Sequence, residues 1–268
     1  MKKIAILNDI HGNLYLLNKA LQYLKNENIS LYLICGDFLT DGPDDNKIID
    51  IIKYLPSYVI LGNREETLIT LEKNTSILSE KMNPLYYTYL NLTKENIKYL
   101  KLLNKTQTIK VNNKIICLSH GSPYKTRDSL NQNSKEVFNN LIKDYSADIY
   151  LFAHTHKYFS KTYQNKLFIN SGAVSSYIGK KQVSTFGILT INDAVTSYEQ
   201  IELKIDFNEL KNYYIKSNYY KAFPKWNNII LYSIKDGVSY NKLFSKEYID
   251  SLSLKENYNN FIIKYNLK

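Results

Sequence analysis

Short apolar runs that end abruptly in polar residues and glycine recur along the first three-quarters of the chain: Lys3 to Leu7, Leu31 to Cys35, Tyr58 to Leu61, Ile115 to Leu118 and Ile149 to Phe152. Their length and abrupt ends predict buried strands. Between them lie helical patterns. Leu14, Leu17, Leu21 and Leu24 share one face, Ile48, Ile51, Ile52 and Leu55 share another before Pro56, and Ser134 to Tyr145 repeats the spacing. Asn112-Asn113 and Gln164-Asn165 mark two hairpin turns, and further strands fall around Thr185 to Thr190 and Val195 to Leu203. Alternating strands and helices imply an α/β fold, and the hairpins favour a mixed sheet or two packed sheets over a purely parallel one.

Beyond Leu203 the texture changes. Asp206, with Glu209 three residues on, reads as a helix start, and Leu210 to Tyr220 continues at helical spacing until Pro224. A short strand is expected at Ile229 to Tyr232 and a closing helix at Tyr248 to Lys264. The chain therefore divides into a main domain, residues 1–203, and a mostly helical extension, residues 204–268, packed on it.

Composition excludes several classes. Hydrophobic residues are 44% and charged residues 22%, as in folded globular chains. Cys35 and Cys117 cannot supply a disulfide framework and read as small core residues, which suits a reducing cytoplasm. The apolar start Ile4 to Leu7 is too short for a signal sequence, and no run approaches the ~18 apolar residues of a membrane span. The net charge of +10 favours anionic partners, and half of it lies in residues 207–268, where ten lysines face five carboxylates without a polybasic block. A solvated face and a phosphate-attracting surface both fit that pattern.

The four histidines carry the chemistry. His11, His120, His154 and His156 all fall at the ends of predicted strands, as do Asp9, Asp37 and Asn63. Ligands bind at strand ends in open α/β folds, so seven polar groups would converge there. Asp9 and His11, one residue apart, would point the same way from an extended backbone, and so would His154 and His156. Histidine and aspartate suit borderline divalent metals, and seven ligands suit two ions sharing a carboxylate, with Asp37 the natural bridge. Two ions about 3.5 to 4 Å apart clamp a phosphoryl group and generate hydroxide.

The ordered segments Asp9-Ile10-His11-Gly12-Asn13, Gly36-Asp37, Gly62-Asn63-Arg64-Glu65, His120-Gly121 and Ala153-His154-Thr155-His156 resemble the five motifs of the calcineurin-like metallophosphoesterases over roughly residues 1 to 200. The resemblance implies an αββα sandwich of two mixed sheets flanked by helices, with a dinuclear centre at the strand ends. It places one ion on Asp9, His11 and His156, the other on Asn63, His120 and His154, and Asp37 between them. Manganese is frequent in relatives, with iron, zinc, nickel and cobalt also found. Metal-bound hydroxide would attack phosphorus, with Asn63, Arg64 and His120 handling the phosphate.

Two positions depart from the family pattern. Arg64 stands where many members carry a histidine that protonates the leaving group, and Ala153 replaces a glycine. Arginine stays charged and cannot act as a general acid. Either Arg64 forks a phosphate oxygen or it pairs with Glu65 or Glu66. Loss of the acid favours a substrate with a good leaving group, a phosphodiester or phosphoanhydride, over a phosphoprotein. The layout with its extension is similar to diadenosine tetraphosphate hydrolases, and Tyr213, Tyr214, Tyr219, Tyr220, Phe223 and Trp226 would either stack on adenine or dock the extension. The expected activity is hydrolysis of small nucleotides. A nuclease, a cyclic-nucleotide phosphodiesterase and a non-enzymatic scaffold like the retromer subunit of this fold are the alternatives, and neither a membrane nor a stable nucleic-acid complex is expected.

Overall fold

A computed structural model describes residues 1–71, 83–192 and 195–267. Two five-stranded mixed sheets face each other. The first contains β1 (Lys2–Ile6), β2 (Ile29–Ile34), β3 (Ser57–Val59), β9 (Val183–Ile191) and β10 (Thr196–Lys204) in the order β10-β9-β1-β2-β3. The second contains β4 (Thr106–Val111), β5 (Lys114–Ser119), β6 (Ile149–Phe152), β7 (Phe159–Tyr163) and β8 (Lys166–Asn170) in the order β4-β5-β6-β8-β7. In each sheet parallel pairs lie beside antiparallel ones, and both hairpins turn where the sequence places them.

The period of two along each strand builds the layers. Ile4 and Ile6 of β1, Leu33 of β2, Ile116 and Leu118 of β5, and Ile149 and Leu151 of β6 form the apolar layer between the sheets. The alternate residues face outward. Ala5, Ile34, Phe186 and Ile188 meet α1 (Leu14–Leu24) and α2 (Asp45–Tyr54). Tyr150, Phe152 and Phe168 meet Phe138 and Leu141 of α6 (Lys135–Tyr145). Helix, sheet, sheet and helix thus form four layers. Between β3 and β4 run α3 (Asn63–Leu71), α4 (Asn83–Asn91) and α5 (Lys94–Leu102), which the sequence pattern does not announce.

The C-terminal residues correct several expectations. No strand forms at Ile229 to Tyr232; the segment lies inside α9 (Pro224–Asp236). Trp226, Ile229, Ile230, Ser233 and Ile234 are buried at helical spacing, and that face outweighs the β-propensity of two adjacent isoleucines. Pro224 starts this helix, because the first turn does not need its missing N–H. Leu210 to Tyr220 is split at Ser217 into α7 (Phe207–Ile215) and α8 (Asn218–Ala222). The expected closing helix begins later, as α11 (Leu254–Tyr265) opened by a Ser253/Glu256 capping box, and it is preceded by an unexpected helix, α10 (Tyr240–Glu247). Asp206 caps α7, its side chain accepting from Asn208 N and Glu209 N. Tyr214, Tyr219 and Trp226 share one apolar cluster with Leu17, Ala20 and Phe186.

Candidate metal centre

Polar side chains first fasten the strand ends to one another. The buried Asn8 amide donates to Phe152 O and to Ser171 Oγ, both at 3.0 Å, and its oxygen accepts from Cys35 N at 3.1 Å. One side chain thereby ties the ends of β1 and β2 to the end of β6. Asn8 has no motif signature of its own, only its place between an apolar strand and Asp9. Glu65 performs the same service for the next loop. Its carboxylate, wholly buried, accepts from Asp37 N (2.9 Å), Leu39 N (3.0 Å) and Gly62 N (2.9 Å). Gly62 is obligatory there, because a Cβ would stand 2.2 Å from Asp37 Oδ1.

The side chains then turn inward from a left-handed backbone, not from the extended one expected. Asp9, His11, Asp37, His154 and His156 have φ between 49° and 67°. Such conformations are sparse for residues with a Cβ and persist where the surroundings over-determine them. A left-handed residue turns the chain sharply, so His154 and His156 reach different groups instead of forming one claw. Ala153 is not among the positive-φ residues, so the lost glycine costs nothing in backbone strain.

Two clusters result. Asp9, His11 and His156 offer ligand atoms within 4.8 Å of one another, and so do Asp37, His120 and His154. Asp37 lies between them, with Oδ2 3.3 Å from His120 Nε2 and 3.9 Å from His11 Nε2. Second partners fix two imidazoles: His120 Nδ1 donates to Cys35 O (2.7 Å) and His156 Nδ1 to Ser176 O (3.1 Å), leaving each Nε2 for the cluster. Asn63 opens α3 beside them, and its Oδ1, Asp9 Oδ1 and His120 Nε2 are buried without any hydrogen-bond partner. Buried polar atoms are rarely left so, and carboxylate and amide oxygens converging with imidazole nitrogens suit a cation. The residues present therefore fit a pair of divalent metal ions.

Electrostatics agrees. Burial drives the Asp9 carboxyl well above its ordinary value, against the pull of His120. At Asp37 burial is overcome by His120, His11 and Arg64, which hold the carboxyl well below its ordinary range. Burial, assisted by neighbouring imidazoles, lowers His154 and His156 to about 4 and His11 well below its usual value. His120 resists burial because Asp37 and Asp9 face it, and it rises to about 9. At neutral pH three imidazoles are thus free bases ready to ligate, and the fourth holds a proton that a metal would displace.

Arg64 takes neither of the expected acidic partners. Its Nη2 donates to Asp41 Oδ2 at 2.8 Å, while Glu65 is engaged with backbone and Glu66 with Lys105 and Thr126. The side chain remains 28% exposed and lines a cleft of about 1170 Å³ together with His11, Asp37, Asn63, His154 and His156. Ile230, Ser233 and Ile234 of α9 and Asn241, Lys242 and Ser245 of α10 line the same cleft. Of the extension's aromatic residues singled out in the sequence, only Tyr214 borders the cleft. Tyr213, Tyr219, Tyr220, Phe223 and Trp226 pack in or against the apolar cluster.

Comparison with known proteins decides the family. The calcineurin-like phosphoesterase family matches residues 2–158, more than half of the chain. The chain belongs to that family. As a calcineurin-like phosphoesterase it is a hydrolase of phosphoester bonds, and the family works with divalent metals. An uncharacterised protein of Methanocaldococcus jannaschii, MJ0912, is 24% identical over 239 residues, covering 83% of this chain and 94% of its own length. A metallophosphoesterase from Sphaerobacter thermophilus and the hypothetical protein PH1004 from Pyrococcus horikoshii OT3 share the phosphoesterase fold. Each has a TM-score of 0.71 at 17% identity and covers 88% of this chain and 99% of its own. That share exceeds what residues 1–203 alone provide, so the common fold reaches into the extension. Among the described residues no helix is long and apolar enough to cross a membrane.

Proposed function

We propose that this phosphoesterase hydrolyses small nucleotide phosphodiesters or phosphoanhydrides at a dinuclear centre held by Asp9, His11, Asp37, Asn63, His120, His154 and His156. The carrying observation is the convergence of these seven side chains, with Asn63 Oδ1 and Asp9 Oδ1 buried and unpartnered, beside a cleft of about 1170 Å³. The cleft is slightly larger than ordinary small-ligand pockets, room enough for a nucleotide beyond the scissile phosphate. The full ligand set speaks against a scaffold.

Asp9, His11 and His156 would hold one ion, Asn63, His120 and His154 the other, and Asp37 both. Two such ions supply Lewis acidity and a water acidified towards neutral pH. The protein's own groups do the rest. Asn63 and His120 orient the phosphate, and Arg64, permanently charged, presents its outer N–H groups to a phosphoryl oxygen. Because Arg64 cannot deliver a proton, the leaving group must depart as a stable anion, as a nucleotide phosphate does. Residues 1–203 are the catalytic domain in this reading, and the extension, 204–268, closes one wall of its cleft.

Diadenosine tetraphosphate is the first substrate to offer, with manganese supplied and products resolved by chromatography, beside a phosphoserine peptide and bis-p-nitrophenyl phosphate. Rapid cleavage of the dinucleotide with little action on the peptide is the expected result. Efficient turnover of the phosphoserine peptide would overturn the leaving-group argument, and cleavage of the nitrophenyl diester alone would remove the dinucleotide.

A further inference from the structure

Asp41 joins three distant parts of the chain at one carboxylate. It is 5% exposed and sits in a left-handed stretch, with φ of 70° at Thr40 and 65° at Asp41. Oδ2 accepts from Arg64 Nη2 at 2.8 Å and lies 3.7 Å from His11 Nδ1. Oδ1 accepts from the indole N–H of Trp226 at 3.0 Å, and the Asp41 carbonyl accepts from Tyr214 OH at 3.3 Å. Trp226 is itself buried in the first turn of α9 against Phe244.

We propose that Asp41 is a positioning residue for the phosphate-facing Arg64, and that the C-terminal extension sets Asp41 through the indole of Trp226. A carboxylate has two oxygens in one plane. With Oδ1 taken by a donor that cannot rotate away, the direction of Oδ2, and hence of the guanidinium it holds, is fixed. Asp41 occupies one Nη and leaves the remaining N–H groups of Arg64 for a ligand in the cleft. The extension therefore does more than cover apolar surface: it completes the site from 185 residues further along the chain. The inference rests on the reading of Arg64 as a phosphate-facing group.

A double-mutant cycle on the full-length, manganese-loaded enzyme tests it, with bis-p-nitrophenyl phosphate as substrate. Trp226→Phe keeps an aromatic side chain, though a smaller one, and deletes the N–H. Arg64→Ala should lower kcat/KM at least tenfold, Trp226→Phe about three- to tenfold, and the double variant no further than Arg64→Ala. A costly Arg64→Ala beside additive or silent Trp226→Phe overturns the coupling alone; a silent Arg64→Ala overturns the reading of Arg64 as well. A second readout needs no variant, since Trp226 is the sole tryptophan. Inorganic phosphate, added to the concentration at which it inhibits hydrolysis, sets its charge on the free N–H groups of Arg64 while Asp41 still holds the guanidinium, which should shift the indole emission, and Arg64→Ala should abolish the shift. Unchanged emission at full inhibition contradicts the coupling.

Discussion

The Nε2 atoms of His11 and His156 stand 3.1 Å apart, one imidazole entering after β1 and the other after β6. His156 Nδ1 donates to Ser176 O, so its Nε2 brings a lone pair to that meeting. Two nitrogens about 2.1 Å from one ion and at right angles to each other would stand about 3.0 Å apart. The separation suits a shared ion. His156→Ala should reduce the metal content from about two ions per chain to about one, measured by elemental analysis of the manganese-loaded protein. Retention of two ions would remove His156 from the ligand set.

His120 should give the centre a pH dependence. Asp37 and Asp9 raise it to about 9, so the folded, metal-free protein holds this proton at every lower pH. An ion arriving at Nε2 must displace it. Metal uptake at about pH 7.5 should release protons, one of them from His120, and affinity should rise with pH until about 9. Titration calorimetry in HEPES and in Tris, which differ in ionisation enthalpy, measures the proton directly. Equal binding heats in the two buffers would show that His120 is already neutral.

Glu65 is where stability and site geometry meet. Removing its side chain leaves the N–H groups of Asp37, Leu39 and Gly62 buried without an acceptor. At roughly 1 to 3 kcal/mol for each, Glu65→Ala should lower unfolding stability by about 3 kcal/mol or more, and Glu65→Gln should restore part of it. Urea denaturation of the three proteins measures the loss. A change below about 1 kcal/mol would mean that the loop finds other acceptors.

Much of this architecture is legible in the sequence, for identifiable reasons. The strands β1, β2, β5 and β6 have uninterrupted apolar runs because both faces are buried. The motif residues stand at their ends because the loops converge there. What is not legible depends on distant partners. Asp41 lies four residues after Asp37, yet Trp226 and Arg64 give it meaning, and neither is near it in sequence. Ile229 to Tyr232 has the composition of a strand, and only packing of Trp226, Ile230 and Ile234 on one face makes it helical. The backbone at Asp9, His11, His154 and His156 defeats spacing arguments for a related reason: left-handed turns at residues with side chains are imposed by the surrounding loops.

A two-ion hydrolytic centre organised on Asp37 is tested by pairing metal content with rate. Manganese-loaded wild-type protein and Asp37→Asn are assayed on bis-p-nitrophenyl phosphate before and after chelation, with folding checked by circular dichroism. The account predicts about two ions per chain and rapid hydrolysis in the wild type. It also predicts loss of activity on chelation, and a folded but inactive Asp37→Asn. Undiminished hydrolysis by Asp37→Asn, or by the chelated wild-type protein, would contradict it.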